Sequence, residues 1–191
     1  MNKIRSKFVC LIIPFFIGCA TNSNTTTNSN IFRFNERYAV KIDVPETWRV
    51  QINGAETESG VGYTLTLNTG NNVRFLGLIT ILIANEPTEM TRERFFALIQ
   101  GEGNSNASQS VEGQAVIVPI DVNNGYGAYY ILTDADLVNK TPGPDEYKIF
   151  ARIVIQYNSG ALASITALMD DSECDEFKLF MESIITMEPI F

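Results

Sequence analysis

Between Tyr38 and Val44 the chain alternates: Tyr38, Val40, Ile42 and Val44 share one side of an extended backbone, and Lys41 and Asp43 take the other. A period of two is the mark of a half-buried strand. Pro45 has no amide hydrogen with which to continue a ladder, and Trp48–Asn53 then reads as a second, short strand. Tyr63–Leu67 alternates again, with Tyr63, Leu65 and Leu67 against Thr64 and Thr66, and NTGNN at 68–72 reads as a turn. Phe75–Ala84 is apolar on both sides, as a central strand is. Further strands are predicted at Ala115–Asp121, Ala128–Thr133 and Tyr147–Tyr157, with Pro119 confining the first to an edge or a bulge. Asn158-Ser159-Gly160 suits a three-residue hairpin loop leading into Leu162–Met169.

Two stretches change to the helical period. In Thr91–Gln100, Thr91 is placed to cap the first turn, and Phe95, Leu98 and Ile99 form a stripe; the polar run Gly101–Gly113 that follows reads as a loop. Ser172–Ile185 puts Cys174, Phe177, Phe180, Met181 and Ile184 on one face. Its first turn holds Glu173, Asp175 and Glu176, where the helix dipole favours negative charge. A β-rich order joined mostly by hairpins, with one helix inside and one at the end, predicts an α+β fold. It would be a mostly antiparallel sheet of about six to eight strands with two main helices packed on it.

The first thirty residues are built differently. Met1–Lys7 carries Lys3, Arg5 and Lys7 and no acid, and Phe8–Gly18 is an apolar run. That run is far short of the roughly 20 residues a spanning helix needs, and it matches the apolar region of a signal peptide. Phe16-Ile17-Gly18-Cys19 then resembles a bacterial lipobox, although Leu is usual where Phe16 stands. The resemblance implies that 1–18 is a signal peptide cut just before Cys19. The Cys19 thiol would take a diacylglyceryl group and the new amine a further acyl chain such as palmitate. Two or more chains hold a protein on a membrane stably, where one does so only marginally. Residues 20–30 (ATNSNTTTNSN) carry no charge and nothing apolar beyond Ala20. They read as a flexible tether with an r.m.s. span of about 18 Å. Ala20, in place of the Asp that retains such proteins at the inner membrane, implies the periplasmic face of the outer membrane in a cell that has two.

Residues 31–191 are long enough for one globular domain with a core that needs neither disulfides nor metal. The chain has 14 Lys+Arg against 22 Asp+Glu. With Lys3, Arg5 and Lys7 in the leader, 11 cations remain against 22 acids, a balance of −11 that disfavours nucleic acid as a partner. There is no histidine, which excludes Ser-His-Asp and Cys-His catalysis and His-bearing zinc sites. Cys10, Cys19 and Cys174 form neither a disulfide framework nor a metal-ligand spacing, and no cofactor is expected. Lys41, Lys140, Lys148 and Lys178 lie in no Ser-x-x-Lys motif. Cys174 stands among five carboxylates, which disfavour a thiolate, and reads as a structural residue. Asp134-Ala135-Asp136 and the acids of 170–176 lack the oxygen spacing of a calcium loop. Tyr126, Tyr129 and Tyr130 are the candidate ligand or partner surface, and KTPGPDEY (140–147) is a stiff, exposed turn.

The segment FRFNERYAVKIDVPETW (32–48), an aromatic-led strand closing on Pro-x-x-Trp, resembles the opening of Mog/PsbP-like domains. That family includes photosystem II extrinsic subunits, a Ran-binding protein and bacterial lipoproteins. The resemblance implies a binding or assembly module and carries over no catalytic residues. The expectation is a lipid-anchored cell-envelope protein whose non-enzymatic domain takes a protein partner or a small hydrophobic ligand. The alternative is a carboxylate-dependent hydrolase or sugar-active enzyme of the envelope, built on a pocket holding paired Asp/Glu.

Overall fold

A computed structural model describes residues 31–57, 60–69, 74–84 and 90–191. In chain order its elements are β1 (Ile31–Arg33), β2 (Ala39–Lys41), β3 (Arg49–Thr57), β4 (Gly60–Asn68), β5 (Phe75–Ala84), α1 (Arg92–Ala107), β6 (Val118–Val122), β7 (Gly125–Thr133), β8 (Ile149–Tyr157), β9 (Leu162–Met169), α2 (Asp175–Thr186) and β10 (Glu188–Ile190). Seven strands form one sheet in the order β3-β4-β5-β9-β8-β7-β6, and β1-β2-β10 form a second. Every neighbouring pair is antiparallel. The fold is α+β on a mostly antiparallel sheet.

The alternation in the sequence sets the two faces of the large sheet. Leu65 and Leu67 of β4, Ile79 and Ile81 of β5, Ile153 and Ile155 of β8 and Ile165 of β9 lie on one face, each essentially inaccessible. Burying a side chain of this size stabilises by about 1.5–3 kcal/mol. α2 packs here through Phe177, Phe180 and Ile184, and the small sheet adds Phe32 and Val40. The sheet curls, so that α2 touches both β5 and the edge strand β6. Trp48 is buried in the same core, 5.4 Å from the Phe75 ring and 6.4 Å from the Phe180 ring.

α1 packs on the opposite face, over β7, against Ala128, Tyr130, Leu132 and Val154. Thr91 caps it, accepting the Arg94 amide at 3.3 Å. The helix does not stop at Gln100. It runs to Ala107 through residues that read as loop, and Phe95, Ile99, Gly103 and Ala107, four apart, form its buried face. A methyl at Gly103 would lie 2.7 Å from Ala115 Cβ. The glycine costs about 1 kcal/mol of helix propensity but lets α1 approach the segment beneath it. Leu98, expected on the buried stripe, is 54% exposed on the flank of α1 instead.

Other boundaries also moved. The alternation of Tyr38–Val44 is real, but only Ala39–Lys41 pair, and they do so in the second sheet. α2 starts at Asp175, with Cys174 extended just before it. Pro119 does lie on an edge strand, and Gly160, at φ +87°, closes the expected hairpin loop between β8 and β9.

Candidate functional site

Strand β7 carries the tyrosines, and its pleat separates them. Tyr126 and Tyr130 point under α1, whereas Tyr129 packs on the α2 side. The Tyr126 hydroxyl donates to the Met90 carbonyl at 2.8 Å, and its ring meets Phe95 edge-on at 4.9 Å. Tyr130 is fully buried, and its hydroxyl accepts a hydrogen bond from Asn106 Nδ2 at 2.8 Å. Burial, with Glu102 nearby, pushes its phenol above the ordinary value of 10.0. Two of the three tyrosines thus serve to seat α1, and the three share no common surface.

The remaining candidates are held in local structure. Burial, aided by Glu176 and Asp171, raises the Cys174 thiol above its ordinary 9.0 despite the opposing influence of the nearby Phe177 and Glu176 amides. The thiol therefore keeps its proton. Asp134 Oδ1 accepts the Asp136 amide at 2.8 Å, and Asp171 Oδ1 accepts the Glu173 amide at 2.9 Å, so both acidic patches turn the backbone. Among the described residues no three His, Cys, Asp or Glu side chains are grouped to hold a metal ion.

Arg74, which the sequence did not single out, is a hub. Its Nε lies 2.9 Å from Asp170 Oδ2, and its Nη2 donates to the carbonyls of Gly143, at 2.8 Å, and Glu146. Its guanidinium stacks 5.3 Å from the Tyr147 ring centre. It clamps the KTPGPDEY turn to the start of β5. Glu112 makes a second clamp: its carboxylate accepts both the Thr133 amide (2.9 Å) and hydroxyl (2.8 Å). Partial burial pushes this carboxyl upward, but the Thr133 bonds, together with its own amide and the Ser110 hydroxyl, outweigh it and hold the group below the ordinary 4.5.

Among the described residues, two surfaces are candidates to meet a partner or ligand. One is a depression of about 330 Å³ where the β6–β7 and β8–β9 turns meet β10, lined by Asn124, Tyr157, Asn158, Glu188 and Phe191 among others. The other is the half of the large sheet that α1 leaves bare. There Leu76, Leu78, Leu82 and Leu168 are half-buried and belong to neither core. Thr64, Thr66, Thr80 and Thr166 stand between them; the Thr64 and Thr80 hydroxyls are bonded at 3.0 Å.

Cys19, the candidate lipidation site, lies in 1–30, outside the described residues. Among the described residues no helix is long and apolar enough to cross a membrane. No protein-family model, curated protein or solved structure matches the chain.

Proposed function

We propose that the chain is a lipid-anchored protein of the bacterial cell envelope, held through Cys19, whose domain binds a partner or ligand without catalysing a reaction. One observation carries the reading: the succession of a basic start, a short apolar run, Gly18-Cys19 and an uncharged polar run that ends where β1 begins. Each part has one physical task. The first two direct export, the cysteine takes lipid, and the polar run, which has almost nothing to bury, keeps the domain clear of the headgroups.

The domain is of Mog/PsbP-like type in this reading. The Phe32–Trp48 segment supplies β1, β2 and the Trp48 anchor beneath α2, a helix follows the long strand β5, and the β8–β9 hairpin leads into α2. A module of this kind acts by presenting surface, and the half of the large sheet beside α1 offers an apolar one.

The test is fractionation of cells expressing wild type or Cys19→Ser in the presence of labelled palmitate. Wild type takes up label and pellets with membranes, and Cys19→Ser is unlabelled and redistributes to the soluble fraction. A wild type without label, together with a mutant that still pellets, overturns the anchor.

A further inference from the structure

We propose that the bare half of the large sheet is the contact between two copies of this chain. The inference stands whether or not Cys19 is acylated.

The face formed by β9, β5, β4 and β3 combines two properties. It is apolar at its centre, where Leu76 and Leu168 are cross-strand neighbours and Leu78 pairs with Thr166. Its described strand side chains include no carboxylate; Arg49 lies at the far corner, and at the β9 border the Arg152 guanidinium donates to Ser164 Oγ at 2.8 Å. This is unusual in a domain with 11 cations against 22 acids. A two-fold contact sets a patch against itself, so near the axis like charge meets like charge. A face without carboxylates therefore suits self-association of an acidic protein.

The shape specifies how the copies meet. α1 stands on β7 and makes a step beside the bare strands. Stacking the bare halves about 10 Å apart without a clash needs a two-fold axis along the strands. That axis lays β9-β5-β4-β3 over β3-β4-β5-β9 of the second copy, and α1 of each then stands beside the other's β3. β3 is a nine-residue edge strand whose described neighbour in the sheet is β4 alone. Unpaired edges of that length are normally protected.

Charge fits as well. An axis along the strands keeps each residue at its own level. Gln51 lies on the row of Thr66, Leu78, Thr166 and Arg152, and Arg152 holds Glu102 on the α1 flank at 3.0 Å. Arg49 sits two positions along β3 from that row, within reach of Glu102 of the second copy. Leu98, four residues before Glu102 on the same flank and 54% exposed, is covered by the same contact.

Four strands at about 4.8 Å spacing and about 3.4 Å per residue give roughly 1,000 Å² in total over two copies. That is near the lower bound of a specific interface. The curl round α2 makes this face convex, so the α1 flanks are needed to complete it.

Sedimentation velocity of the full-length protein in density-matched detergent tests the proposal, with three variants. Leu78→Lys places a charge at the centre of the face, and Thr66→Lys does so at a position with less packing to lose. Leu179→Lys, on the exposed side of α2, is the control. Wild type and Leu179→Lys sediment as dimers. Both face variants weaken dimerisation at least about thirtyfold with unchanged circular dichroism. Raising the salt from about 0.05 M to about 0.5 M tightens the wild-type dimer by screening the acidic remainder. A monomeric wild type overturns the proposal, whether the face is bare or occupied by another protein. Dimers that survive both face variants also overturn it, because they reflect two anchors sharing one micelle.

Discussion

Gly77 lies in β5, opposite Leu67 of β4 and Ala167 of β9, on the face that receives α2. The Phe180 ring sits directly over it. A methyl at position 77 would lie 2.6 Å from Phe180 Cε2, 3.1 Å from Cζ and 3.2 Å from Cδ2. The ring has little room to retreat, since Phe75 stands 5.4 Å away, Trp48 stands 6.4 Å away and Phe180 itself is fully buried. Overpacking of this kind costs about 1–3 kcal/mol. Replacing glycine by alanine returns about 0.4–1 kcal/mol by restricting the unfolded chain. Gly77→Ala should therefore destabilise by about 1–2 kcal/mol, lowering Tm by roughly 2–8 °C in a domain of this size. Thermal and urea unfolding followed by circular dichroism measure it. The mechanism is tested by Phe180→Leu, which removes the offending ring carbons. The double variant should be less destabilised than the sum of the two singles by about 1 kcal/mol. A Gly77→Ala protein as stable as wild type, or strict additivity with Phe180→Leu, would refute the close approach of α2 to the sheet.

Three further outcomes follow from the clamps and the buried phenols. Glu112 is held below its ordinary 4.5, so its contribution is present above that pH and is lost as pH falls through the lower folded value. Glu112→Gln should lower Tm at neutral pH and flatten the acid limb of a Tm-against-pH plot, and an unchanged acid limb would contradict the clamp. Tyr157 donates to the Met187 carbonyl at 3.3 Å, and burial, with Glu188 nearby, raises its phenol above 10.0. Tyr157→Phe should cost about 0.5–1.5 kcal/mol. Since a raised folded value gives stability that is full below pH 10.0 and is lost as the pH rises beyond it, the variant should also decline less steeply than wild type in alkali. Arg74→Ala should release the 140–147 turn, seen as faster tryptic cleavage after Lys140 with little change in global unfolding; equal cleavage rates would show that Arg74 does not hold it.

What the sequence made legible is what periodicity encodes. β9 is legible to the residue, because Leu162–Met169 is paired on both sides, against β5 and β8, and alternates along its whole length. The second half of α1 is not legible, because Gly101, Gly103 and the Asn/Ser run after them carry loop propensity. The four-residue spacing from Phe95 to Ala107 continues there in small residues, whose meaning appears only once Ala115 and Tyr130 are seen beneath them. β1 and β10 are three residues each, too short for any pattern, and are made by pairing both with β2, one from each end of the domain. The tyrosines were legible as a cluster along β7, but the pleat divides them, and Tyr130 went to the core because α1 extends far enough to bring Asn106 to it. Arg74 was not legible, since its partners lie about seventy and a hundred residues further along the chain.

The mass of the N-terminal peptide of the protein purified from its native cells tests the proposed Cys19 anchor most directly. The account predicts a mature chain beginning at Cys19, with a diacylglyceryl group on its sulfur and an acyl chain on its amine. A chain that keeps residues 1–18, or is cut elsewhere and carries a free, alkylatable Cys19 thiol, would contradict it.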